Sequence, residues 1–213
     1  MKLSTALIAL AVSTSATIAP TAFAQSADLS IAGKIFPGAC VIDLGNGGVA
    51  DLGDIRKDTL NVHTTTLIEP VLIPASISCE SEVRFALQAI DNAAESSAIP
   101  FMYGIGKTLA DEKIGGTDVG FFETLIDGGA AYATHSYNGG RTWSSSAHGS
   151  LANFDRDSLH GFAKVGGVNT GPSAIKELTT NVRVRARIQP SSELTITEDV
   201  HVNGNLTLNL LYL

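Results

Sequence analysis

The C-terminal stretch Val200-His201-Val202-Asn203-Gly204-Asn205-Leu206-Thr207-Leu208-Asn209-Leu210-Leu211-Tyr212-Leu213 alternates apolar and polar residues up to the last position. Successive side chains of an extended chain point to opposite faces. Val200, Val202, Leu206, Leu208, Leu210 and Tyr212 therefore share one face with Gly204, and Asn203, Asn205, Thr207 and Asn209 share the other. A terminus frays unless it is tied into structure, so an apolar strand running to the final residue predicts something that covers it.

Working back from this strand, short alternating segments separated by Gly, Asn, Asp and Pro dominate, and no segment carries a helical apolar stripe of ten residues or more. The pattern predicts an all-β chain with strands near residues 29–41, 49–52, 66–78, 83–90, 119–126, 131–136, 175–188 and 200–213. Seven or more short strands favour a sandwich. In the segment 182–188, Val182, Val184, Ala186 and Ile188 alternate with Arg183, Arg185 and Arg187, giving one apolar and one basic face. The arginine row reads either as an anion site or as a solvated sheet face balanced by nearby carboxylates. The middle, residues 92–171, is rich in Gly-Gly pairs and predicts hairpins and long loops rather than a second core.

Residues 1–24 have the form of a secretory leader. Lys2 supplies the positive start, residues 6–12 the apolar run, and Ala22-Phe23-Ala24 the small-x-small cleavage site. The apolar run is shorter than the roughly 20 residues that span a bilayer. The remaining residues suit one domain. The formal charge of −7 becomes more negative once Lys2 is removed, which argues against nucleic acid as a partner. The two cysteines, Cys40 and Cys79, predict one disulfide in an exported chain, and their spacing is not the C-x-x-C of a redox site.

Little in the chain suggests catalysis. Ser136-Tyr137-Asn138-Gly139-Gly140-Arg141-Thr142-Trp143 fits the Asp-box pattern that recurs in sialidase propellers, but it occurs once here. It reads as a hairpin turn, with Asn138-Gly139-Gly140 at the bend and Trp143 packed beneath. His63, His135, His148, His160 and His201 lack metal-site spacing, and no G-x-S-x-G elbow is present. No cofactor or metal is expected, and the chain reads as a non-enzyme.

The order of features resembles subunits of chaperone–usher fimbriae, and within them the beta-type fimbrial proteins. Residues 27–35, Ala-Asp-Leu-Ser-Ile-Ala-Gly-Lys-Ile, are similar to the family's glycine-bearing N-terminal extension. Phe36-Pro37-Gly38-Ala39-Cys40-Val41-Ile42-Asp43 resembles the first-cysteine segment, and Asp51-Leu52-Gly53-Asp54-Ile55 the short strand that follows. Cys79 closes the second strand at the family's separation, and Tyr212 is the penultimate aromatic. The glycine many pilins carry fourteen residues from the C-terminus is Val200 here, with Gly204 nearest.

The resemblance implies an incomplete immunoglobulin-like sandwich of pilin type that lacks its last strand, with an enlarged Gly-rich loop and hairpin region. It implies three parts: a leader over 1–24, a donor-strand extension over 25–36 and a sandwich domain over 37–213. Leu29, Ile31 and Ile35 would enter a neighbour's pockets, with Gly33 at the point of closest backbone approach. Leu206, Leu208, Leu210, Tyr212 and Leu213 would form the acceptor groove and meet a periplasmic chaperone. The partners implied are that chaperone, an outer-membrane usher, neighbouring fimbrial subunits and a surface glycan. The implied location is a fimbrium reached through the periplasm, with a role in adhesion or biofilm formation. The alternative from the residues themselves is a complete secreted or periplasmic carbohydrate-binding sandwich with Tyr132, Tyr137 and Trp143 as a sugar platform. A weaker one is a glycoside hydrolase suggested by the Asp-box.

Overall fold

Alternation becomes a ladder wherever both faces of a segment are covered or solvated as its side chains require. The computed structural model describes residues 38–145, 151–167 and 169–213, all within a unit spanning Ile35–Leu213. The leader and the donor residues Leu29, Ile31, Gly33 and Ile35 lie outside the described residues, as does His148. The strands are β1 (Cys40–Leu44), β2 (Thr66–Leu67), β3 (Val71–Val83), β4 (Phe85–Asp91), β5 (Gly115–Ile126), β6 (Gly129–Ala130), β7 (Tyr132–Ser136), β8 (Ser144–Ser145), β9 (Ala152–Asn153), β10 (Leu159–Ala163), β11 (Ile175–Ile188) and β12 (Leu206–Tyr212). No α-helix occurs among the described residues; the helical pieces are short 3-10 turns.

Two sheets form a sandwich. The first runs β1-β3-β11-β5-β6, with β2 added beside β11 and β9 beside β5; the second runs β12-β4-β10-β7-β8. Every ladder between these strands is antiparallel. The chain crosses between sheets at Arg84, where β3 gives way to β4. Val83, Phe85, Leu87 and Ala89 all stay in the core across that step. Ile77, Phe121, Leu178 and Phe162 bring inner-face side chains of both sheets into one cluster. Phe121 stacks on Phe162 at 5.8 Å and meets Phe154 edge-on at 4.8 Å.

β11 matches its expected bounds, and its two faces divide as the alternation requires. Ala186 and Ile188 are buried, while Arg183 and Arg185 both pair with Asp118 on neighbouring β5 at 2.7 and 3.0 Å. Asp118 thus offsets part of the basic row within its own sheet, and Arg187 stands exposed. The disulfide Cys40–Cys79 is formed, joining residues directly opposite in the β1–β3 ladder.

Four expectations are corrected. Residues 49–52 are not a strand: Asn46, Gly47, Gly48 and Gly53 have φ of 55°, 62°, 75° and 66°, which breaks the extended path on both sides. Residues 66–78 divide into β2 and β3 at Pro70, which has no N–H to give a ladder. The C-terminal strand begins at Leu206 rather than Val200. The Asn203 N–H donates to the Ile105 carbonyl, and a Cβ on Gly204 would lie 2.9 Å from the Gly104 oxygen, so residues 200–205 pack onto a loop instead of a strand. The middle of the chain is also more structured than its glycines suggest. It supplies β10 and the core rings Phe154 and Phe162, and it contributes Ile105 and Ile114 to a second apolar cluster with Leu60, Ala186, Ile188 and Leu194.

Candidate functional site

The two sheets each end in a strand with a single neighbour: β1 pairs only β3 and β12 pairs only β4 among the described residues. These edges meet at one end, where the Cys40 N–H donates to Tyr212 Oη at 2.8 Å. From that clasp β1 runs toward Leu44 while β12 runs back toward Leu206, and between and beyond them the sandwich opens into a groove of about 1400 Å³. Its floor is interior surface. Ile73, Val182 and Val184 come from the first sheet, Ala89, Leu206 and Leu208 from the second. Val182, Val184, Leu206 and Leu208 remain only partly buried although they pack against the core.

The walls continue past the strand ends. One is the irregular segment 48–58 and the other residues 196–205, tied together where Lys57 Nζ donates to the Ile196 carbonyl at 2.9 Å. Leu52, Ile55, Val200 and Val202 turn their apolar side chains onto the second cluster, so the groove crosses both apolar clusters of the domain. A drug-sized ligand fills a pocket of about 300–1,000 Å³. A larger, elongated apolar groove flanked by two unpaired strand edges matches an extended peptide, whose backbone can hydrogen-bond the free edge while alternate side chains fill the floor.

Of the acceptor residues read from the sequence, Leu206 and Leu208 line this groove. Leu210 and Tyr212 pack half-buried against the main core nearer the clasp. Leu213 is about half exposed at 49%, and its N–H donates to the Arg84 carbonyl. The sequence reading missed the wall at 48–58 and the floor supplied by Ile73 and Phe121. The available signal was the apolar set Val49, Leu52 and Ile55, spaced three residues apart and so off the period of two that a strand face requires.

Several of the other singled-out residues have partners within the fold. The Asp-box segment is a hairpin turn: Gly140 N–H donates to Ser136 Oγ at 2.9 Å, Thr142 N–H to Asn138 Oδ1 at 2.9 Å, and Trp143 Nε1–H to the Gly140 carbonyl at 3.0 Å. The three aromatics of the sugar-platform reading are used differently. Trp143 is half-buried against Gly171, Tyr132 lies close against Gly166, and Tyr137 is exposed with its hydroxyl donating to Asp155. His160 is buried; its Nε2 accepts from the Asp155 N–H at 3.1 Å and lies 2.6 Å from Ser158 Oγ. Burial lowers its pKa to about 4, so the ring is neutral at pH 7. Burial likewise pushes the Tyr103 hydroxyl well above its usual value, and that hydroxyl donates to the Phe154 carbonyl, holding a groove-lining ring in place.

Residues 29–100, which contain both cysteines and β1 to β4, match a family described as protein of unknown function (DUF1120). Over 99% of its length the chain is similar to protein GltF of Escherichia coli (strain K12), at 23% identity over 250 aligned positions that cover 98% of that protein.

Proposed function

We propose that this chain is a structural, non-enzymatic subunit of a bacterial surface fimbria, carried by a periplasmic chaperone to an outer-membrane usher and polymerised by strand exchange, in the service of adhesion or biofilm formation. The observation that carries the reading is the groove between β1 and β12. Among the described residues both sheets end unpaired on the same side, and apolar interior surface from each lines the groove between them. A sandwich that lacks its last strand has this form, and an inserted strand would complete it.

The donor in this reading is the alternating segment near the N-terminus, with Leu29, Ile31 and Ile35 entering the groove and Gly33 where space is least. Each buried aliphatic side chain contributes about 1.5–3 kcal/mol, and ladder hydrogen bonds add about 1 kcal/mol each. Three anchors with a ladder make exchange slow to reverse, as a fibre held without covalent links requires.

The test uses a chain beginning at Gly38 and a synthetic peptide of residues 25–36. With peptide a hundredfold above its Kd, unfolding should be opposed by about 2.7 kcal/mol. A peptide carrying Ile31→Asp should give no gain. A shortened chain of unchanged stability with either peptide would end the fimbrial reading.

A further inference from the structure

The groove has two unlike ends. At the clasp it is closed by Tyr212 and Cys40. At the open mouth the walls are charged. Asp51, Asp54 and Asp58 stand on one flank, Glu198 and Asp199 on the other, against only Arg56 and Lys57. Both cations are engaged: Arg56 pairs with Asp58, and Lys57 donates to the Ile196 carbonyl. Asp51, Asp54, Glu198 and Asp199 are exposed and take part in no ion pair among the described residues. A strand entering this groove therefore meets a negative mouth before it meets the apolar floor.

Resting on the fimbrial reading above, we propose that the occupant is residues 27–36 of a second copy of this chain, recognised at the acidic mouth by Lys34. The segment Ala27-Asp28-Leu29-Ser30-Ile31-Ala32-Gly33-Lys34-Ile35-Phe36 contains one acid and one base. If Leu29, Ile31, Gly33 and Ile35 face the floor, Asp28 and Lys34 project from the other face of the strand, roughly 20 Å apart at about 3.3 Å per residue. Only one direction of entry sets Lys34 on the mouth and keeps Asp28 away from it. The reverse direction places Asp28 among four carboxylates that only the Lys57 cation offsets. Charges at the rim of an interface act chiefly on the rate of encounter and on the choice of partner, while the apolar anchors set the lifetime of the complex. Lys34 would thus select this chain's own extension over a neutral or acidic one of equal hydrophobicity.

The experiment takes the mature chain carrying Gly33→Arg, which cannot donate, as acceptor, and fluorescently labelled peptides of residues 25–36 with Lys34 or with Lys34→Glu. In stopped flow at about 20 mM salt the Lys34→Glu peptide should associate roughly tenfold more slowly. At about 1 M salt, where the screening length falls to about 3 Å, the two rates should converge. An acceptor that also carries Asp51→Lys and Asp199→Lys should reverse the preference. These two positions are exposed, and unaltered thermal unfolding confirms that the variant is folded; should it unfold, the salt dependence of the two peptides on the first acceptor decides alone. Equal rates at low salt, or a difference that survives 1 M salt, would overturn the recognition by Lys34 and leave the fimbrial reading standing. Failure of both peptides to bind would overturn both.

Discussion

The two sides of this sandwich treat their edges in opposite ways. On the side away from the groove the outermost strands, β6 and β8, are two residues long, and β9, also two residues, covers part of β5. Isolated bridges from Ser97 and Tyr103 add to β5 at Gly115 and Thr117. On the groove side, β12 presents seven residues and β1 five, each with one neighbour among the described residues, beside the apolar floor. Short, covered edges are the usual defence against unwanted pairing. Their presence on one side shows that this sequence can protect an edge, so the long bare edges on the other side call for a functional explanation.

The disulfide offers the largest way to break the contrast. Cys40 and Cys79 are 39 residues apart in sequence and opposite each other in the β1–β3 ladder. Closing a loop of that length stabilises by about 4 kcal/mol, largely through the unfolded chain. Among the described residues β1 has one neighbour, so the bond also holds the strand that leads into the flank at 48–58. Replacing both cysteines by Ala should lower the urea midpoint by the equivalent of about 4 kcal/mol and weaken peptide capture. An unchanged midpoint would show that β1 is secured by other contacts.

The difference between the sides also explains what the sequence made legible. The bounds of β11 and the facing of β12 were readable because each strand has one apolar and one polar face, which alternation reports directly. β10 left no such trace: four of the five residues in Leu-His-Gly-Phe-Ala are buried, so polarity does not alternate along it. Its Gly161 gives room to Pro172, whose Cγ would lie 2.3 Å from any Cβ placed there. The groove was half legible. Leu206 and Leu208 advertise themselves, but the flank's Val49, Leu52 and Ile55 recur every third residue, a spacing that fits no strand face, and the positive φ values around them break the extended path.

The next effect in size lies in the protected half of the second sheet. His160 sits on β10 with its ring edge-on to Phe154 at 4.9 Å, and Phe154 lines the groove. Burial lowers the imidazole pKa to about 4, against 6.5 for an exposed histidine. Between these values the unfolded chain binds a proton that the folded chain does not. Stability therefore falls as pH drops from 6.5 toward 4 and levels off from this source below 4, a loss of about 3 kcal/mol in all. Carboxylates add their own acid dependence, so the comparison is with His160→Gln: wild type should lose about 3 kcal/mol more than the variant between pH 7 and pH 4. Parallel pH profiles for the two proteins would refute the assignment.

The smallest effects make the sharpest comparison, because a matched pair of substitutions removes one hydrogen-bonding group from each side. Tyr212→Phe deletes the oxygen that accepts from Cys40 N–H at the closed end of the groove. Asn138→Ala deletes the amide that accepts from Thr142 N–H and donates to Thr142 Oγ1 at 2.8 Å in the opposite turn. Tyr212→Phe should cost about 1 kcal/mol of stability, the ordinary net value of one such bond. Asn138→Ala, which also loses the acceptor of Ser136 Oγ–H, should cost about 1–2 kcal/mol because most of its bonds are exposed. Their consequences for the groove should differ. Without the clasp the two edges are free to separate at that end, and a bound strand should leave several-fold faster from the Tyr212→Phe protein. The Asn138→Ala protein should release it at the wild-type rate. Equal dissociation from both variants would mean that the clasp is only a stabilising contact and that the groove keeps its shape without it.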